Sequence, residues 1–556
     1  MFSAADTIWV LLGTVLVFFM QAGFAMVETG FTRAKNSGNI IMKNLMDFSL
    51  GSLVFWFIGY GIMFGGDGPL IGDLDFFIQR NYDSNIPTFV FVIFQTVFCA
   101  TASTILSGAM AERTKFSSYC VCSGILSAFI YPVSGHWIWG GGWLAELGFH
   151  DFAGSTTVHM VGGVCAIIGA KILGPRIGKF DKDNNPVAIP GHSLTLGALG
   201  VFILWFSWFG FNGASSLGIS SDEDILLVAN IFMTTNIAAV TATMCVMIVT
   251  WVLYKKPDVS MTLNASLAGL VAITAGCDIV SPFGAFCIGI VAGFVLIFGV
   301  LFVEKTLKID DPVGAIPVHG MCGAIGTILV GVFALEGGLL YGGGFSLLGV
   351  QILGVVAVIA WVSITITIVF LAVKSVMGLR VSEEEEVVGL DIKEHGLESS
   401  YADFLQVSSS LNNTSSSTST TNITKEISVP VTNNSTQDSE IKKIVIITKE
   451  AKFEMLKSVL DNLGITGMTV TKILGYGMQK GDTNFYRGTA VETKLLPKVK
   501  VEVVVCNMPI DSLIQAVRNT LFTGNIGDGK IFVYDVCNVV KIRTGEEGVQ
   551  ALLDEE

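Results

Sequence analysis

Asp151-Phe-Ala-Gly-Ser-Thr-Thr-Val-His159 and Asp311-Pro-Val-Gly-Ala-Ile-Pro-Val-His319 are two copies of one pattern in this chain of 556 residues. In each copy an Asp is followed eight residues later by His, and a Gly-rich apolar stretch comes next. Five predicted membrane spans separate the copies, and an odd number of spans inverts the second copy relative to the first. Transporters often contain two inverted halves with function at their interface. The pattern therefore predicts an α-helical polytopic membrane protein built from inverted five-helix repeats.

The composition agrees with a membrane class for the first part of the chain. Hydrophobic residues make up 51% and charged residues 14%, against roughly 25% charged residues in soluble domains. Residues after about 380 have ordinary charge density and are expected to form a separate soluble domain. The net charge of −13 argues against a nucleic-acid partner, which clustered Lys and Arg would hold.

Eleven transmembrane helices are predicted, since a hydrocarbon core needs roughly 20 apolar residues per helix. The first window has no basic flank and no small-residue cleavage site, so we expect a retained helix rather than a signal peptide. The windows start near Thr7, Phe48, Phe89, Tyr119, Thr156, Ser193, Ile225, Thr262, Phe283, Ala315 and Phe345.

The orientation is predicted from Lys and Arg in the short loops, which are enriched on the cytoplasmic side. The alternate loops are acidic or neutral, with Arg80 as the exception. The N-terminus is therefore expected outside and, after eleven spans, the soluble tail inside an inner (plasma) membrane. Sequons such as Asn422-Ile-Thr424 then face away from the glycosylation machinery and are interpreted as linker composition. The basic loop residues are Arg33, Lys35, Lys43, Arg113, Lys115, Lys171, Arg176, Lys179, Lys182, Lys255, Lys256, Lys305, Lys308, Lys374 and Arg380.

The two histidines are the principal site candidates. A single buried His is usually a hydrogen-bonded interior residue, but a duplicated ionisable group at membrane depth indicates a pathway. Imidazoles at symmetry-related depths can hydrogen-bond each other, and neutral imidazole both donates and accepts, which suits a small polar solute or a proton relay. A metal site is the rival, but two His without a nearby carboxylate or thiolate are an incomplete ligand set. The ten cysteines are scattered and are interpreted as small buried hydrophobic residues, so no metal site is predicted.

The two Asp residues begin their helices, where a carboxylate can cap free N–H groups. For Asp311 a capping role is expected. Asp151 follows the segment from His136 to Trp143, so it is either a cap or electrostatic support for a cation site.

Aromatic residues cluster at three places besides the usual interfacial positions. These are Trp139 beside three glycines, Phe94 with Phe98 on the third span, and the end of the sixth span from Trp208 to Ser215. A partly dehydrated cation can be held over an aromatic face. The clusters favour a site for a monovalent cation.

With these motifs the membrane part resembles the Amt/Mep/Rh ammonium transporters along essentially its whole length. The resemblance implies a homotrimer of eleven-helix protomers in membrane lipid, each with its own pore for ammonium or ammonia and no cofactor for transport. It implies an external ammonium site at Trp139, Phe98 and Ser215 with Asp151 below it, a stacked gate of Phe98 and Phe211, and pore histidines His159 and His319. The motifs are Gly108-Ala-Met-Ala-Glu-Arg113, the Trp139 glycine run with Asp151-Phe-Ala-Gly and His159, Trp208-Phe-Gly-Phe-Asn, and Val318-His319-Gly.

The implied transport agrees with elementary energetics. Moving bare NH4+ through an apolar tube has a large desolvation cost, so binding the cation outside, removing a proton and moving NH3 is a cheaper route. Potassium has no proton to give up. The His pair either passes the proton separately, which makes transport electrogenic, or only guides NH3, as in a gas channel.

The soluble part divides into three predicted segments. Residues 381–405 are charged, and their Gly389-Leu-Asp-Ile-Lys-Glu-His-Gly396 resembles the regulatory C-terminal segment of the same transporters. Residues 406–440 are rich in Ser, Thr and Asn and form a linker, because they lack the large apolar residues of a core. Residues 441–556 follow a ferredoxin-like βαββαβ pattern with a long loop between the second and third strands. Residues 1–380 are the transmembrane domain.

The last segment contains the motifs Gly467-Met-Thr-Val470, Gly475-Tyr-Gly-Met-Gln-Lys-Gly481, Tyr486-Arg-Gly488, Leu496-Pro-Lys498 and the stretch from Thr523 to Phe532. Through these motifs it resembles a PII signalling protein over about 110 residues. Its Gly524-Asn-Ile-Gly-Asp-Gly-Lys530 has P-loop spacing, but a strand follows instead of a helix, so it is interpreted as a glycine turn that presents N–H groups and a Lys to phosphates. The resemblance implies ATP or ADP in the clefts of a trimer, and 2-oxoglutarate bound with Mg-ATP. The implied nucleotide residues are Thr469, Gly527, Gly529, Lys530, Lys541 and Arg543, the 2-oxoglutarate residues are Gln479 and Lys498, and the regulatory loop contains Tyr486, Arg487 and Gly488.

Two residues depart from the pattern of PII relatives. Val491 stands where many of them have the uridylylated tyrosine, and Lys541 replaces a common Arg. We therefore expect the domain to respond to small molecules rather than to uridylylation.

The chain is open to three hypotheses on function. The first hypothesis is an ammonium transporter regulated by its tail. The second is an ammonium sensor that signals through the tail with little net transport. A membrane-bound ATPase is disfavoured because no Walker motif is evident, and no enzyme activity is predicted.

Overall fold

The computed structural model describes residues 2–82, 84–397, 441–465, 467–475, 483–486, 489–492, 496–506, 508–524 and 527–552. The chain divides into two compact units, Met1–Ala402 and Asp403–Glu556. The predicted linker of residues 406–440 lies outside the described residues.

The first unit is helical. Several of its helices run directly into or out of π-helical turns, which lie at Phe55–Gly59, Leu126–Ile130, Ser155–Met160, Phe302–Thr306 and Ile316–Met321. Short 3₁₀ turns lie at Ala34–Asn36, Ala214–Ser216 and Leu339–Tyr341. The α-helices are α1 (Ala4–Phe31), α2 (Ser37–Val54), α3 (Tyr60–Phe64), α4 (Thr88–Ala109), α5 (Phe116–Ile125), α6 (Tyr131–Trp139), α7 (Trp143–Glu146), α8 (Val161–Leu173), α9 (Leu194–Gly213), α10 (Asp222–Tyr254), α11 (Val259–Ile273), α12 (Pro282–Leu301), α13 (Cys322–Phe333), α14 (Ser346–Val376), α15 (Glu383–Val388) and α16 (Leu390–His395).

Within the described residues, ten helical segments are long and apolar enough to cross a membrane. The predicted span near Thr262 corresponds to α11, an apolar helix of 15 residues that is shorter than the others. Residues Asn264 to Ile273 of α11 are all buried. A helix enclosed by other helices is not lipid-exposed along its length, so its apolar stretch is not set by the bilayer alone.

One predicted span starts in the wrong place. The second window was expected near Phe48, but α2 begins at Ser37, and Lys43, assigned to a basic loop, lies inside the helix and is fully buried. The apolar window excluded Lys43 and Asp47 because they are charged. Both are buried in contact with other polar groups, so the helix continues through them.

The duplicated pattern is also a duplicated backbone. Gly154 and Gly314, each three residues after its Asp, both have positive φ angles, of 110° and 80°. Glycine adopts this region at no steric cost. A π-helical turn that carries the histidine follows in each copy.

Glycines let the two repeats approach closely beside these turns. A Cβ on Gly163 would lie 2.2 Å from the backbone nitrogen of Gly320, and one on Gly323 would lie 2.5 Å from the carbonyl oxygen of Ser155. Gly163 and Gly323 each follow their histidine by four residues. Any side chain there would force the histidine-bearing turns apart.

A cluster of buried ion pairs connects residues that are distant in the sequence at one end of the helical bundle. We call this end the basic end. Glu112 pairs with Arg33 and Arg176, and Asp310 pairs with Arg176 and Arg113. Only Arg33 of these five reaches solvent appreciably. We call the opposite end, where Trp139 lies, the tryptophan end.

The segment after α14 docks on the basic end. Glu386 accepts the N–H of Ile177 at 2.7 Å, and Asp391 accepts the N–H groups of Gly38 and Asn39 at 2.9 and 2.8 Å. Gly38 and Asn39 lie in the first turn of α2, where N–H groups have no intrahelical partner.

The second unit consists of strands and two helices. Its elements are β1 (Ile441–Lys449), α17 (Phe453–Asn462), β2 (Thr469–Gly475), β3 (Thr483–Tyr486), β4 (Thr489–Glu492), β5 (Leu496–Cys506), α18 (Ile510–Leu521) and β6 (Lys530–Asp535), with 3₁₀ turns at Glu450–Lys452 and Gly548–Leu552. Four of the strands form an antiparallel sheet in the order β2-β5-β1-β6. The apolar sides of α17 and α18 pack on this sheet through residues such as Leu456, Leu460, Leu513 and Val517. The predicted long loop contains two short paired strands, β3 and β4, which the sequence pattern did not indicate.

Candidate functional site

The predicted aromatic residues lie together at the tryptophan end. The Phe98 ring is 6.1 Å from the Trp139 ring and 4.8 Å from the Phe94 ring, between centroids. Trp139 is partly buried, and its indole N–H donates to the carbonyl of Asp151 at 2.7 Å. Ser215 is also partly buried, and its hydroxyl donates to the carbonyl of Phe211 at 2.8 Å. Together they present aromatic faces and a hydroxyl oxygen.

A stacked pair of phenyl rings lies next to this group. Phe98 and Phe211 have centroids 4.1 Å apart and planes inclined by 25°. Phe98 is 1% and Phe211 0% exposed, so both rings are packed against neighbouring groups. A hydrated cation cannot pass them without losing its water or moving a ring.

Asp151 organises the start of its helix. Its carboxylate accepts the N–H groups of Gly154, Thr156 and Thr157 at 3.1, 3.0 and 2.8 Å, and the Thr157 hydroxyl at 2.9 Å. Burial raises the pKa of Asp151, whereas the hydrogen bonds from Thr157 and its neighbours oppose that shift. These donors occupy both oxygens of the Asp151 carboxylate.

Asp311 makes the matching cap in the second repeat. It accepts the N–H groups of Gly314, Ala315 and Ile316 at 3.0, 3.1 and 2.7 Å. No aromatic counterpart of Trp139 precedes it in the sequence. The capping geometry is duplicated and the aromatic site is not.

The two histidines meet where the repeats cross. The Nδ1 atoms of His159 and His319 are 3.2 Å apart, and the side chains are 0% and 4% exposed. A hydrogen bond between two Nδ1 atoms requires one ring to carry its proton there and the other to accept. The Nε2 atom of His159 is buried and has no hydrogen-bond partner among the described residues. A small polar solute beside it can provide one.

Sequence reasoning assigned no role to two aromatic residues that frame the histidines. Trp208 stacks on His159 with centroids 4.9 Å apart, and its indole N–H donates to Thr274 at 2.9 Å. Phe24 lies 5.8 Å from His319. Trp208 stands inside a motif that the sequence analysis quoted, whereas Phe24 is one of 38 phenylalanines and carries no local signal.

The predicted nucleotide residues are spread over the second unit. Gly527 and Gly529 have φ angles of 108° and 125°, and a Cβ on Gly529 would lie 2.1 Å from the Ile447 carbonyl oxygen. Lys530 begins β6 and is exposed next to a cleft of about 300 Å³. Lys541 and Arg543 lie beyond β6, with Lys541 partly buried and Arg543 exposed. The turn thus combines two glycines of positive φ with the exposed ammonium group of Lys530.

Thr469 and Lys530 are not brought together within one chain. Thr469 is on β2 and Lys530 on β6, the opposite edges of the sheet, roughly 14 Å apart at the usual strand spacing. Lys498 is on β5, next to β2. A site that uses both edges therefore needs a second copy of the domain. Tyr486 ends β3, while Gln479, Arg487 and Gly488 lie outside the described residues.

Comparison with known proteins gives two family matches. The profile of the Ammonium Transporter Family matches residues 8–401, and that of Nitrogen regulatory protein P-II matches residues 441–546. Ammonium transporter Amt2 of Archaeoglobus fulgidus is 48% identical over 415 residues, covering 70% of this chain and 87% of the relative. A putative ammonium transporter of Synechocystis is 41% identical, covering 71% and 88%.

Solved structures agree with this match. One named "Sensor Amt Protein" superposes with a TM-score of 0.67 at 42% identity, covering 70% of this chain and 98% of that one. Mep2 of Candida albicans superposes with a TM-score of 0.64 at 27% identity, covering 69% and 88%. These matches concern the helical unit.

Proposed function

The chain belongs to the ammonium transporter family and carries a C-terminal P-II domain, and from this premise we propose that it conducts ammonium across a membrane under the control of that domain. One observation supports the proposal most directly: the His159–His319 pair at 3.2 Å lies behind the stacked Phe98–Phe211 pair. This order of side chains supports the passage of a small neutral solute rather than of a hydrated ion.

In the proposed mechanism, NH4+ is first held at the tryptophan end by Trp139, Phe98 and Ser215. A desolvated cation over an aromatic face gains up to about 2 kcal/mol, and the field of Asp151 adds to this attraction. The cation then loses a proton, and NH3 passes the phenyl pair and moves along the imidazoles. Because K+ has no proton to lose, it is held back by its full desolvation cost.

We further propose that α11 is the eighth of eleven spans. Its 15 residues rise about 22 Å, and it packs against α9, α10, α12 and α13. With the basic loops on the cytoplasmic side, eleven spans would leave the N-terminus outside an inner (plasma) membrane and the tail in the cytoplasm. The docked segment after α14 then lies on the cytoplasmic side.

The proposed domains are a transmembrane domain (1–380), a regulatory segment (381–405), a linker (406–440) and a ferredoxin-like PII domain (441–556). The proposed effectors are ATP, ADP and 2-oxoglutarate with Mg2+. The placement of Thr469 and Lys530 on opposite sheet edges supports nucleotide clefts between copies, which accords with a homotrimer. The loop with Tyr486, Arg487 and Gly488 would act on the pore of its own or a neighbouring chain.

A sensor with little net transport is the alternative function. It is favoured by one specific finding, the superposition on a structure named "Sensor Amt Protein" at 42% identity. In this alternative the same aromatic site and His pair bind ammonium, and the bound state is reported to the tail. The alternative differs from transport in flux and not in binding.

Electrophysiology on proteoliposomes containing the full chain separates the two functions. Transport predicts an ammonium-evoked current that His159→Asp abolishes or makes less selective for ammonium over potassium. A wild-type protein that binds ammonium with neither a current nor NH3 uptake, followed as alkalinisation inside the vesicles, supports the sensor, and an unchanged current in His159→Asp refutes the pore role of the pair. Deleting residues 485–488 is expected to relieve any inhibition by the tail, and identical currents with ADP in the deletion variant and the wild type would argue against block of the pore by this loop.

A further inference from the structure

Three ionisable side chains buried in α1 and α2 have no role in the path described above. They are Glu28, Lys43 and Asp47, which are 2%, 0% and 0% exposed. Ionisable groups at membrane depth are costly to bury and usually serve function. We call these three residues the inner triad.

The triad is held in one hydrogen-bonded network. Glu28 accepts the hydroxyl of Ser107 at 2.7 Å, and the Lys43 ammonium lies 3.4 Å from the Ser107 carbonyl oxygen. The same ammonium is 5.0 Å from the centre of the Tyr119 ring. Asp47 accepts the hydroxyls of Tyr119 and of Ser123, at 2.7 and 2.6 Å. The network therefore links α1, α2, α4 and α5.

Glu28 also reaches the inner side of the histidine pair. Glu28 and His319 line the same cavity of about 20 Å³, which is room for one molecule the size of water or ammonia. A methyl group on Gly108, which lines this cavity too, would lie 2.5 Å from Val313 and 3.6 Å from the Glu28 carboxyl carbon. A solute that has passed His319 meets a carboxyl group next.

The formal charges of the triad do not balance. Two carboxylates and one ammonium leave a charge of −1, and an uncompensated buried charge is strongly unfavourable. The nearby Glu112 and Arg113 belong to the cluster at the basic end, where they pair with Arg33, Arg176 and Asp310. The remaining neighbours, Tyr119 and His319, add no charge when neutral. The triad is therefore suited to hold one proton or one monovalent cation.

We propose that Glu28, backed by Lys43 and Asp47, is the group that returns a proton to ammonia at the inner end of the pore. In this step the O–H bond of the Glu28 carboxyl group breaks and an N–H bond forms on NH3, which leaves NH4+ and the Glu28 carboxylate. The proton taken from ammonium at the outer site travels along His159 and His319 and restores the carboxyl group. The inference rests on the proposed transport function.

The test combines infrared spectroscopy with current measurements. The full chain in phosphatidylcholine and phosphatidylglycerol vesicles is exposed to ammonium chloride, with potassium chloride as the reference, and the C=O stretch of protonated carboxyl groups is followed. We expect an ammonium-induced loss of this band in the wild type and in Glu28→Asp, which keeps a carboxyl group, but not in Glu28→Gln. The current of Glu28→Gln is expected to fall by about tenfold or more, as when a general acid is removed.

Thr29→Ser is the matched control, because Thr29 is the adjacent buried polar residue and its hydroxyl has no partner within the described residues. It is expected to keep both the band and the current. The infrared response of Asp47→Asn is compared with that of Glu28→Gln. The comparison shows which of the two carboxyl groups gives the ammonium-sensitive band.

The outcomes separate this inference from the transport proposal. An ammonium-sensitive band that persists in Glu28→Gln, or a wild-type current in that variant, overturns the role of Glu28. A Glu28-dependent band in a wild type that carries no current supports ammonium-linked protonation at Glu28 and refutes transport. If Glu28→Gln does not fold, the test rests on Glu28→Asp, which must keep the ammonium-sensitive band at a shifted frequency, and an unshifted band overturns the assignment.

Discussion

Asp151 and Asp311 make the same helix cap in two different surroundings. Each carboxylate receives the N–H groups that its helix start leaves free, after a glycine with positive φ. Only Asp151 lies beside a tryptophan, whose N–H binds its carbonyl at 2.7 Å. The two residues therefore form a natural pair in which the cap is constant and the neighbouring aromatic site is not.

Substitution of each by Asn tests whether Asp151 acts on a cation. Replacing a carboxylate oxygen by NH2 removes an acceptor, so both variants should lose about 1–3 kcal/mol of stability. Asp151→Asn should in addition lose about tenfold or more of the ammonium-evoked current, since a carboxylate a few ångströms from a cation contributes on the order of 1 kcal/mol or more. Thermal unfolding in detergent and proteoliposome currents measure the two effects. Equal currents in the two variants would show that Asp151 only caps its helix and does not act on a cation.

The contact between Trp208 and His159 could not be predicted from the motif that contains Trp208. That motif, Trp208-Phe-Gly-Phe-Asn, implied a role for Phe211, yet the Trp208 indole stacks on His159 with centroids 4.9 Å apart. Nothing in the spacing of one helix says which face meets a residue 49 positions earlier in the chain. Contact between distant positions is a property of packing.

At the scale of elements, the segment after α14 is positioned by free helix N–H groups. Asp391 accepts from Gly38 and Asn39 at the start of α2, and Leu390 donates its N–H to Asn36 at 2.9 Å. A carboxylate at a helix N-terminus also meets the positive end of the helix dipole. The docking thus joins the last helices of the unit to one of its first.

Asp391→Ala should release this segment. We expect amide hydrogen exchange in residues 36–40 and 383–395 to accelerate by about tenfold or more, because a hydrogen bond to a charged group contributes about 1.5–3 kcal/mol. Glu384→Ala is the control, as Glu384 is exposed and pairs with Lys393 within the same segment. Unchanged exchange in Asp391→Ala would show that the apolar contacts hold the segment without this cap.

The ion cluster at the basic end gives stability a definite pH dependence. Burial alone raises the pKa of Asp310, but the charges of Arg113 and Arg176 and the hydrogen bonds from Arg176 outweigh it and lower that pKa to about 2. The pKa is therefore depressed from 3.8 on folding. The stabilisation is complete above about pH 4 and is lost as the pH falls towards about 2.

Asp310→Asn should lower the melting temperature at pH 7, because removing one partner of a buried ion pair costs about 3–5 kcal/mol. The difference from the wild type should shrink between about pH 4 and pH 2, where the wild-type carboxylate becomes protonated. Asp73→Asn, in an exposed pair with Arg80, should change little at any pH. A difference that stays constant from pH 7 to pH 2 would contradict the assigned pairing.

At the scale of the whole molecule, the two units have separate cores. The apolar core of the helical unit and that of the β-sheet unit share no residue, and the chain divides near Ala402. Each unit therefore buries its own apolar surface. Removal of one should leave the other folded.

Ending the chain after residue 402 should leave the thermal stability of the helical unit unchanged and should keep the ammonium-evoked current, at the wild-type level or above it once any inhibition by the tail is removed. Any response of the current to ATP or ADP should disappear, because the glycine turn and Lys530 are gone. In the full chain, Lys530→Ala should remove the same response while keeping the current, with Lys500→Ala, which pairs with Glu502, as the control. A truncated protein that still responds to nucleotide would place the nucleotide site outside the tail.

The sequence by itself determined the class of the protein, the duplicated Asp–His pattern and the element order of the tail. These signals are local: an apolar window, a glycine three residues after an Asp, and a strand alternation are each written within about twenty neighbouring residues. For the same reason the sequence pattern predicts helices from Phe453 to Leu463 and from Ile510 to Phe522, and α17 and α18 each end one residue earlier, at Asn462 and Leu521. The membrane resemblance was carried by motifs that stay contiguous in the chain.

Only the tertiary structure decided where α2 begins, which face of Trp208 meets His159, and that Thr469 and Lys530 lie on opposite edges of the sheet. It also decided that Glu28, Lys43 and Asp47 share one buried network next to the cavity of His319. The physical reason is that the cost of a charged residue depends on its partners. A charge that a local window counts as a break becomes tolerable once helices from distant parts of the chain surround it with hydrogen bonds.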